Sequence, residues 1–422
     1  MKNYYIFLTL LIFLFGNTVT KAQQDSALFY QVEGRIVDKN SGRPVVYASM
    51  IISGTNTGTV ANMEGEFIIK IPHKNLHDSI VISSIGYKNK VLRVEELSPE
   101  KNLIKLEAAS IQLSEVNIRY GDAREILIAA MDKIRDNNKS QPYMLTAFYR
   151  ESIQRKRKYV AVSEAVLDTY KSSYTNPFER DRIQILKARK STDFQKKDTL
   201  ALRLQGGPYS MFRLDFVKNP TELLEREILR YYWFEINDYV IIDNRLAYVI
   251  SFEQLPEVEV PLYKGRFFIE VDNLAFLGAE FQINADRIHK ASEYMVQQKP
   301  PGVQVDIEKA RYKVSYRYFG GNWHLSYVRT ELALFIKWKK KHFRSKYTTI
   351  AEMAVTDMDT LNVTKFKNQN TFGKRDIFIE EVGNFEDAGF WGEYNIIRPE
   401  ESIQSAVKRM GRKLKRKTAN GS

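Results

Sequence analysis

The stretch VEGRIVDKNSGRPVVYASMIISGTNTGTVANMEGEF, residues 32–67, decides the fold of the N-terminal part of the chain. Short runs rich in β-branched residues alternate there with clusters of Gly, Asn, Asp, Ser and Pro, which favour turns. Strands are predicted at 32–37 and 45–52, and the same spacing continues with strands at 67–71 and 79–83. Short strands separated by such turns predict a small all-β sandwich.

Glycines, apolar residues and turn residues follow one another in a specific order through this region. The ordered positions are Gly34, Val37, Asp38, Gly42, Pro44, Ala48, Gly54, Thr55, Gly58, Thr59, Asn62, Gly65, Phe67, Ser83, Gly86 and Tyr87. This pattern resembles the carboxypeptidase-regulatory-like domain, a transthyretin-like sandwich common in Gram-negative envelope proteins. Asn62 departs from it, because the family usually has Asp there. Residues 113–118 resemble the strand that often follows that domain, so the predicted domain spans residues 28–118.

The motif residues are expected to be structural. The glycines at 54, 58, 65 and 86 are expected to take turn conformations that a Cβ atom would penalise, while Phe67 and Tyr87 are expected to fill or cap the core. The resemblance therefore implies a fold and no reaction.

Residues 1–22 are predicted to be a cleaved signal peptide. Lys2 supplies the positive start, residues 6–15 are apolar apart from Thr9, and residues 20–22 end in a small-residue cleavage site. The apolar run is short for a membrane span, which needs about 20 residues. We therefore expect an exported protein of the periplasm or outer membrane.

The composition of the chain indicates which partners it can bind and which kinds of chemical site it cannot contain. The formal net charge is +13, which favours anionic partners, and removal of Lys2 and Lys21 would leave +11. Because the chain is expected to be exported, these partners are predicted to be an envelope protein, glycan or lipid and not nucleic acid. Cysteine is absent, which excludes disulfides, thiolate metal ligands and a catalytic thiol.

Residues 119–402 are predicted to form an α+β domain that opens with a helix. Asp122 is a candidate N-cap with Glu125 three residues later. Apolar residues with helical spacing define one face of the helix, namely Leu127, Ala130, Met131 and Ile134.

After the helix, apolar and polar residues alternate with a period of two. Tyr312, Val314, Tyr316 and Tyr318 alternate with Arg311, Lys313, Ser315 and Arg317 before the turn at 320–322, and a later strand carries Leu332, Leu334, Ile336 and Trp338. Similar pairs of strands flank 243–244 (239–242 and 246–252) and 272–273 (266–271 and 274–282). The pattern predicts a large antiparallel meander with one polar face.

Residues 265–281 are loosely similar to the half-barrel lipid and lipoprotein carriers of the periplasm. If the meander curls into such a half-barrel, its concave face is predicted to be lined by Phe267, Ile269, Phe281 and Trp338. A carrier of an apolar ligand is therefore one alternative function. The predicted fold class is mainly β with α+β: a transthyretin-like sandwich, a helix and a possible half-barrel.

Residues 403–422 form a predicted basic tail with seven Lys or Arg and no acidic residue. Ile403, Val407, Met410 and Leu414 would share one face of a helix, which is typical of helices that lie on anionic bilayers. The alternative is a solvated terminal segment.

The sequence lacks the zinc-peptidase signature His-x-x-Glu, the Gly-x-Ser-x-Gly elbow and the phosphate-binding Gly-x-x-x-x-Gly-Lys. His73 and His77, next to Asp78, are four residues apart, and so are His289 and Glu293, but we expect a loop at the first pair and no metal at either. We therefore predict no catalytic, cofactor or metal residues and a non-catalytic envelope binding, scaffold or transport-accessory protein. A hydrolase built from dispersed carboxylates is the second alternative.

Overall fold

The computed structural model describes residues 29–110, 122–176, 178–193, 207–295, 301–339, 344–374, 376–383 and 389–419. The predicted signal peptide (1–22) and the predicted strand at 113–118 lie outside these residues.

The N-terminal part is a two-sheet sandwich, as predicted. Its strands are β1 (Phe29–Asp38), β2 (Ser49–Ile52), β3 (Gly58–Val60), β4 (Glu66–Pro72), β5 (Ser79–Ser83), β6 (Lys90–Arg93) and β7 (Asn102–Leu106). One sheet has the order β4-β1-β7 and the other β3-β2-β5-β6. Phe67 is fully buried between them, and Tyr87 packs against the same core.

Two details of the sandwich differ from the sequence prediction. The second strand begins at Ser49 and not at residue 45, because Tyr47 has a φ of 57°, which interrupts an extended chain. Gly58 lies in β3 without a positive φ. A Cβ atom there would come within 2.3 Å of the Met50 carbonyl oxygen, so this glycine permits close approach of β2 rather than a turn.

The second part is an antiparallel sheet of ten strands that does not close on itself. The strands are β8 (Tyr143–Arg155), β9 (Lys158–Lys171), β10 (Arg182–Thr192), β11 (Tyr232–Ile242), β12 (Arg245–Gln254), β13 (Tyr263–Glu270), β14 (Phe276–Ile283), β15 (Val303–Phe319), β16 (Asn322–Trp338) and β17 (Ser345–Asp359). Their order is β10-β9-β8-β17-β16-β15-β14-β13-β12-β11, which leaves β10 and β11 as the edges.

The predicted hairpins are confirmed. Asp243 and Asn244 both have positive φ between β11 and β12, as do Gly320 and Gly321 between β15 and β16, which matches the two-residue turns that suit twisted strands. The third turn is wider than predicted: Leu274 also has a positive φ, and β14 therefore begins at Phe276 and not at residue 274.

Helices and short 3₁₀ turns complete the chain. The α-helices are α1 (Ala123–Asp132), α2 (Ile134–Asn137), α3 (Gly207–Arg213), α4 (Thr221–Leu224), α5 (Ile288–Met295) and α6 (Glu401–Ala419), and the 3₁₀ turns are His73–Asn75, Val94–Glu96, Leu229–Tyr231, Ala285–Arg287, Asn368–Asn370 and Phe378–Glu380. The Asp122 side chain caps α1 as predicted, accepting a bond from the Arg124 amide at 2.8 Å. Among the described residues, no helix combines the length and the apolar character that crossing a bilayer requires.

One face of the large sheet is covered by α1 and by residues 207–231, which we call the inserted segment. Phe216 of this segment packs among Phe267, Phe276 and Tyr316, with ring centroids 5.4–5.7 Å apart. Its neighbour Asp215 is fully buried and forms an ion pair with Lys171 of β9 at 2.7 Å. The inserted segment therefore fills the apolar side of the sheet.

The opposite face is covered only in part. Residues 389–400, which we call the linking segment, lie between this face and the sandwich. Ile397 O accepts a bond from Arg150 of the sheet at 2.6 Å, and Ile396 O accepts one from Thr59 of the sandwich at 2.9 Å. Asn62, the departure from the family pattern, donates its amide to Arg398 O at 3.1 Å, which a carboxylate could not do.

Candidate functional site

A row of polar side chains crosses the partly covered face of the large sheet. Residues paired in register across antiparallel strands point to the same face, and the pairing connects one residue from each of the ten strands. From β10 to β11 this charged row consists of Arg189, Glu164, Arg150, Glu352, Arg329, Lys313, Glu280, Arg266, Ser251 and Glu235. Nine of its ten residues are ionisable, so this row of the sheet consists almost entirely of charged side chains.

The first half of the charged row is buried. Arg150 contacts Glu164 at 2.7 Å and Glu352 at 3.1 Å, and all three are almost completely shielded from solvent. Arg189 and Arg329 extend the chain of ion pairs on either side, at 2.9 and 3.2 Å. This half lies beneath the linking segment and forms part of the junction with the sandwich.

The second half of the charged row, except Glu235, forms the floor of an open groove of about 680 Å³. The groove lies over strands β11 to β16, where neither the linking segment nor α6 covers the sheet. Five basic and three acidic side chains line it: Lys264, Arg266, Arg311, Lys313 and Arg329, with Glu253, Glu280 and Glu331. The floor therefore carries an excess of positive charge.

A second row runs beside the charged row along the groove. In register across β11 to β16 it consists of Trp233, Glu253, Lys264, Gln282, Arg311 and Glu331, and we call it the outer row. Trp233 is 52% exposed, although tryptophan is usually well buried. Aromatic side chains are common in the lining of ligand-binding sites.

Tyr47 is a residue of the sandwich that lines the groove. Its ring stacks on Tyr327 with the centroids 5.2 Å apart, and the cations of Arg329 and Lys313 lie 5.4 and 5.6 Å from its centre. Positive φ at a bulky residue is strained, and such strain concentrates at functional sites. The left-handed conformation at Tyr47 thus points its side chain to the large sheet rather than along a strand of the sandwich.

Ion pairs fix the charged groups of the groove. Glu280 binds both Lys313 and Arg266 at 2.6 Å. Burial alone would raise the pKa of Glu280, but these two cations outweigh it and hold the pKa below its ordinary value. Glu331 pairs with Lys309 at 2.6 Å. Glu280 is therefore held as an anion, whereas acid–base hydrolysis needs two groups whose pKa values are driven apart.

Smaller cavities continue the groove at both ends. One of about 400 Å³ shares Trp233 and Glu253 with it, and another of about 370 Å³ shares Gln282, Arg311 and Glu331. The accessible surface is therefore elongated across the strands.

Three of the four residues predicted to line an apolar cavity, Phe267, Ile269 and Phe281, belong to one packed core cluster. Phe267 and Ile269 are fully buried in the core that the inserted segment fills. Phe281 stacks on Tyr312 beside the groove, and Trp338 packs in a separate cluster around Leu334. The expectation of an open apolar lining is therefore wrong at Phe267 and Ile269, because Phe216 of the chain itself fills this space. Trp338 does not join the other three residues.

His73 and His77 lie between β4 and β5, outside the strands as the sequence predicted. His73 begins the short turn after β4, and His77 is exposed with Nδ1 2.8 Å from a Glu95 oxygen. His289 is in α5, and the Glu293 side chain lies outside the described part of the chain. Within that part, three or more potential ligands do not converge as a metal ion would require.

The apolar side of the basic tail packs within the protein. Ile403, Ala406 and Met410 of α6 are buried against Val162 of β9, and Lys413 pairs with Asp193 at 2.7 Å. The hypothesis of a membrane-bound tail therefore rests on its basic side alone.

Glu151 of β8 is the carboxyl group whose burial has the clearest consequence for pH. It is buried with the Tyr149 hydroxyl donating to it at 2.8 Å, and burial raises its pKa from 4.5 to about 7. Between these two pH values the folded protein retains a proton that the unfolded chain releases. Stability should therefore fall as the pH rises through this window, by about 3 kcal/mol in total.

We expect Glu151→Gln to remove this pH dependence, because glutamine is neutral and can still accept the Tyr149 bond. The variant should unfold at higher urea than the native protein at pH 8, and the difference should shrink towards pH 4.5. Glu227→Gln, at an exposed glutamate, is the control and should follow the native protein at both pH values. An equally large pH dependence in Glu151→Gln would contradict the assignment.

Sequence reasoning missed most of the groove. It predicted the polar face from the alternation at Arg311 and Lys313, which the structure confirms. It did not identify Trp233, Tyr47 or the charged row, because only the strand order and the φ of Tyr47 reveal them.

Comparison with known proteins identifies the domain family of the sandwich. Residues 32–118 match the model of the CarboxypepD_reg-like domain. The TonB-dependent receptor SusC of Bacteroides thetaiotaomicron is 32% identical over 90 residues, which are 21% of this chain and 8% of the receptor. The chain therefore spans less than a tenth of the length of this relative.

Solved structures resemble the chain only distantly. A DUF1329 family protein from Desulfovibrio piger is 12% identical with a TM-score of 0.24, covering 58% of this chain and 96% of its own. A putative outer membrane lipoprotein-sorting protein domain from Vibrio parahaemolyticus is 9% identical with a TM-score of 0.26, covering 58% and 95%. A LolA superfamily protein from Nitrosomonas europaea is 13% identical with a TM-score of 0.21, covering 60% and 99%. TM-scores this low do not establish a shared fold. The sandwich thus belongs to the carboxypeptidase-regulatory-like domain that is matched over residues 32–118, and an open ten-stranded sheet follows it in the chain.

Proposed function

We propose that the chain is a non-catalytic binding protein of the cell envelope that holds a polar ligand in the groove. The observation that carries this proposal is the composition of the groove, where the floor comes from the large sheet and one wall, Tyr47, comes from the sandwich. Binding sites with a few placed polar groups beside aromatic side chains occur preferentially where two units of a chain meet.

The ion pairs of the groove support binding rather than catalysis. Because Glu280 is held between Arg266 and Lys313, its position is fixed before a ligand arrives. Preformed polar groups reduce the ordering that binding must impose. The two cations lower the pKa of Glu280, whereas a general acid needs a raised pKa.

An envelope location follows from the predicted export signal and from the sandwich. The match to a stretch of the receptor SusC supports it. The net charge of +13 suits the anionic polymers and surfaces of that compartment. An envelope protein, glycan or lipid headgroup is thus the partner, and nucleic acid is not.

A thermal-shift screen tests the groove. The probes are neutral and acidic oligosaccharides, short peptides and soluble phospholipid headgroups, applied to the native chain and to Trp233→Ala. A probe at one hundred times its Kd adds about 2.7 kcal/mol of stability, so at least one class should raise Tm in the native chain and not in the variant. Leu361→Ala, at another exposed apolar side chain that does not line the groove, should respond like the native chain. Equal responses of all three proteins to every probe would reject the groove as the site.

A further inference from the structure

We infer that the ligand of the groove is an acidic oligosaccharide that lies across the strands, with one sugar ring on Trp233 and a carboxylate on Arg311. This inference rests on the proposed function and specifies its ligand class.

The outer row sets the length and direction of the ligand. Trp233 and Arg311 occupy the same row four strands apart. At an interstrand spacing of about 4.8 Å the two residues are about 19 Å apart. The adjoining cavities at both ends extend the surface beyond these two residues. A chain of several sugar rings fits this span, whereas a single small molecule would leave most of it empty.

Charge favours an acidic ligand. Among the lining residues the five cations exceed the three carboxylates by two. Arg311 contributes to this excess: its Nε donates to the Gln282 side-chain oxygen at 3.1 Å, and it forms no ion pair with a carboxylate in the described part of the chain. Arginine binds carboxylates through two parallel N–H groups. The outer nitrogens of Arg311 therefore provide a position for one carboxylate of the ligand.

The polar floor favours a glycan over a peptide. Between Trp233 and Arg311 the outer row presents Glu253, Lys264 and Gln282, and the charged row adds Ser251 beside them. These groups can donate hydrogen bonds to the hydroxyls of a sugar and accept hydrogen bonds from them. Peptides that bind sheets add to the backbone of an edge strand and insert side chains into pockets. The groove offers side chains over its whole floor. Tyr47, Phe281 and Tyr312 also line it, and the exposed ring of Trp233 provides a flat surface that suits the face of a sugar ring.

Tryptophan fluorescence gives a direct readout of binding. The chain has four tryptophans, of which Trp323 and Trp391 are buried and Trp338 packs in another cluster. A ligand in the groove should therefore change mainly the emission of Trp233. The probes are oligosaccharides of galacturonate, alginate and hyaluronate, the neutral methyl ester of oligogalacturonate, and oligoglutamate as a peptide of similar charge.

We expect at least one acidic oligosaccharide to bind the full chain and change its emission, with affinity that falls as salt rises. Trp233→Ala should lose the binding measured by calorimetry. Arg311→Gln should weaken it at least about tenfold, which corresponds to 1.4 kcal/mol. Arg230→Gln, at an exposed arginine outside the groove, should bind like the native chain.

Each result that contradicts these expectations would reject a different part of the inference. Equal binding of the methyl ester would reject the acidic ligand while keeping the groove. Equally tight binding of oligoglutamate through the same two residues would reject the glycan. If none of the acidic oligosaccharides binds, the ligand class is wrong, and the thermal-shift comparison of Trp233→Ala decides separately whether the groove is a site.

Discussion

Replacing Asp215 by alanine is expected to lower the free energy of unfolding by about 3–5 kcal/mol, the usual cost of removing one partner from a buried ion pair. Asp215 and Lys171 are both fully buried with 2.7 Å between the carboxylate and the ammonium group. The hydroxyls of Tyr174 and Tyr316 also donate to Asp215, each at 2.8 Å. Burial raises the pKa of both tyrosines well above its ordinary value, so both remain neutral donors.

The loss arises because four buried donors lose their acceptor at once, the fourth being the Lys218 backbone N–H at 3.3 Å. Lys171 retains Asp181 at 2.7 Å, but the two tyrosine hydroxyls are left without the carboxylate. Because Asp215 precedes Phe216, the inserted segment should also loosen from the core. Urea denaturation measures the free energy, and hydrogen exchange over residues 207–224 measures the loosening.

Asp136→Ala is the matched control, since Asp136 also pairs with a lysine at 2.8 Å but is 63% exposed. Exposed pairs contribute about 0–1 kcal/mol. If Asp215→Ala costs no more than Asp136→Ala, the buried pair does not hold the inserted segment in place.

Local signals in the sequence predicted local structure well. The hairpins at 243–244 and 320–321 combine alternating strands with residues that tolerate positive φ, so both the turn and its flanking strands could be read from neighbouring positions. The same holds for the cap at Asp122. The sandwich could be predicted because its glycines and apolar residues occur in a family-specific order.

The groove depends on long-range pairing, which no local pattern encodes. Arg150 forms a hydrogen bond with Glu352, which lies 202 residues later in the sequence. Thr59 forms one with Ile396, which lies 337 residues later. Alternation predicts that a strand has a polar face, but not which strand lies beside it. The inserted segment was missed for the same reason, since Phe216 finds its partners only when β13 to β15 are assembled.

Replacing Arg150 by methionine is the second change with a large expected effect, again about 3–5 kcal/mol. Methionine has a similar volume but cannot bond Glu164, Glu352 or the Ile397 carbonyl. Both glutamates would remain buried, each with one arginine instead of two. Arg150→Lys should recover only part of the loss, because an ammonium group lacks the planar fork that reaches several acceptors.

The position of Arg150 gives this variant a second, specific readout. Its bond to Ile397 holds the linking segment on the sheet, and that segment in turn binds Thr59 and Asn62 of the sandwich. Hydrogen exchange should therefore increase over residues 389–400 before it increases in the inserted segment. Because the sandwich carries Tyr47, ligand affinity should fall as well, although Arg150 does not line the groove.

Arg266→Met provides the comparison within the same charged row. Arg266 pairs with Glu280 at 2.6 Å, but its side chain is 51% exposed. We expect it to cost at most about 1 kcal/mol of stability while weakening binding directly, with no increase in exchange over residues 389–400. The two halves of the charged row would then have separate roles. The buried ion pairs would join the sandwich to the sheet, and the solvent-exposed ion pairs would contact the ligand. Equal stability losses in Arg150→Met and Arg266→Met would show that burial does not divide the row in this way.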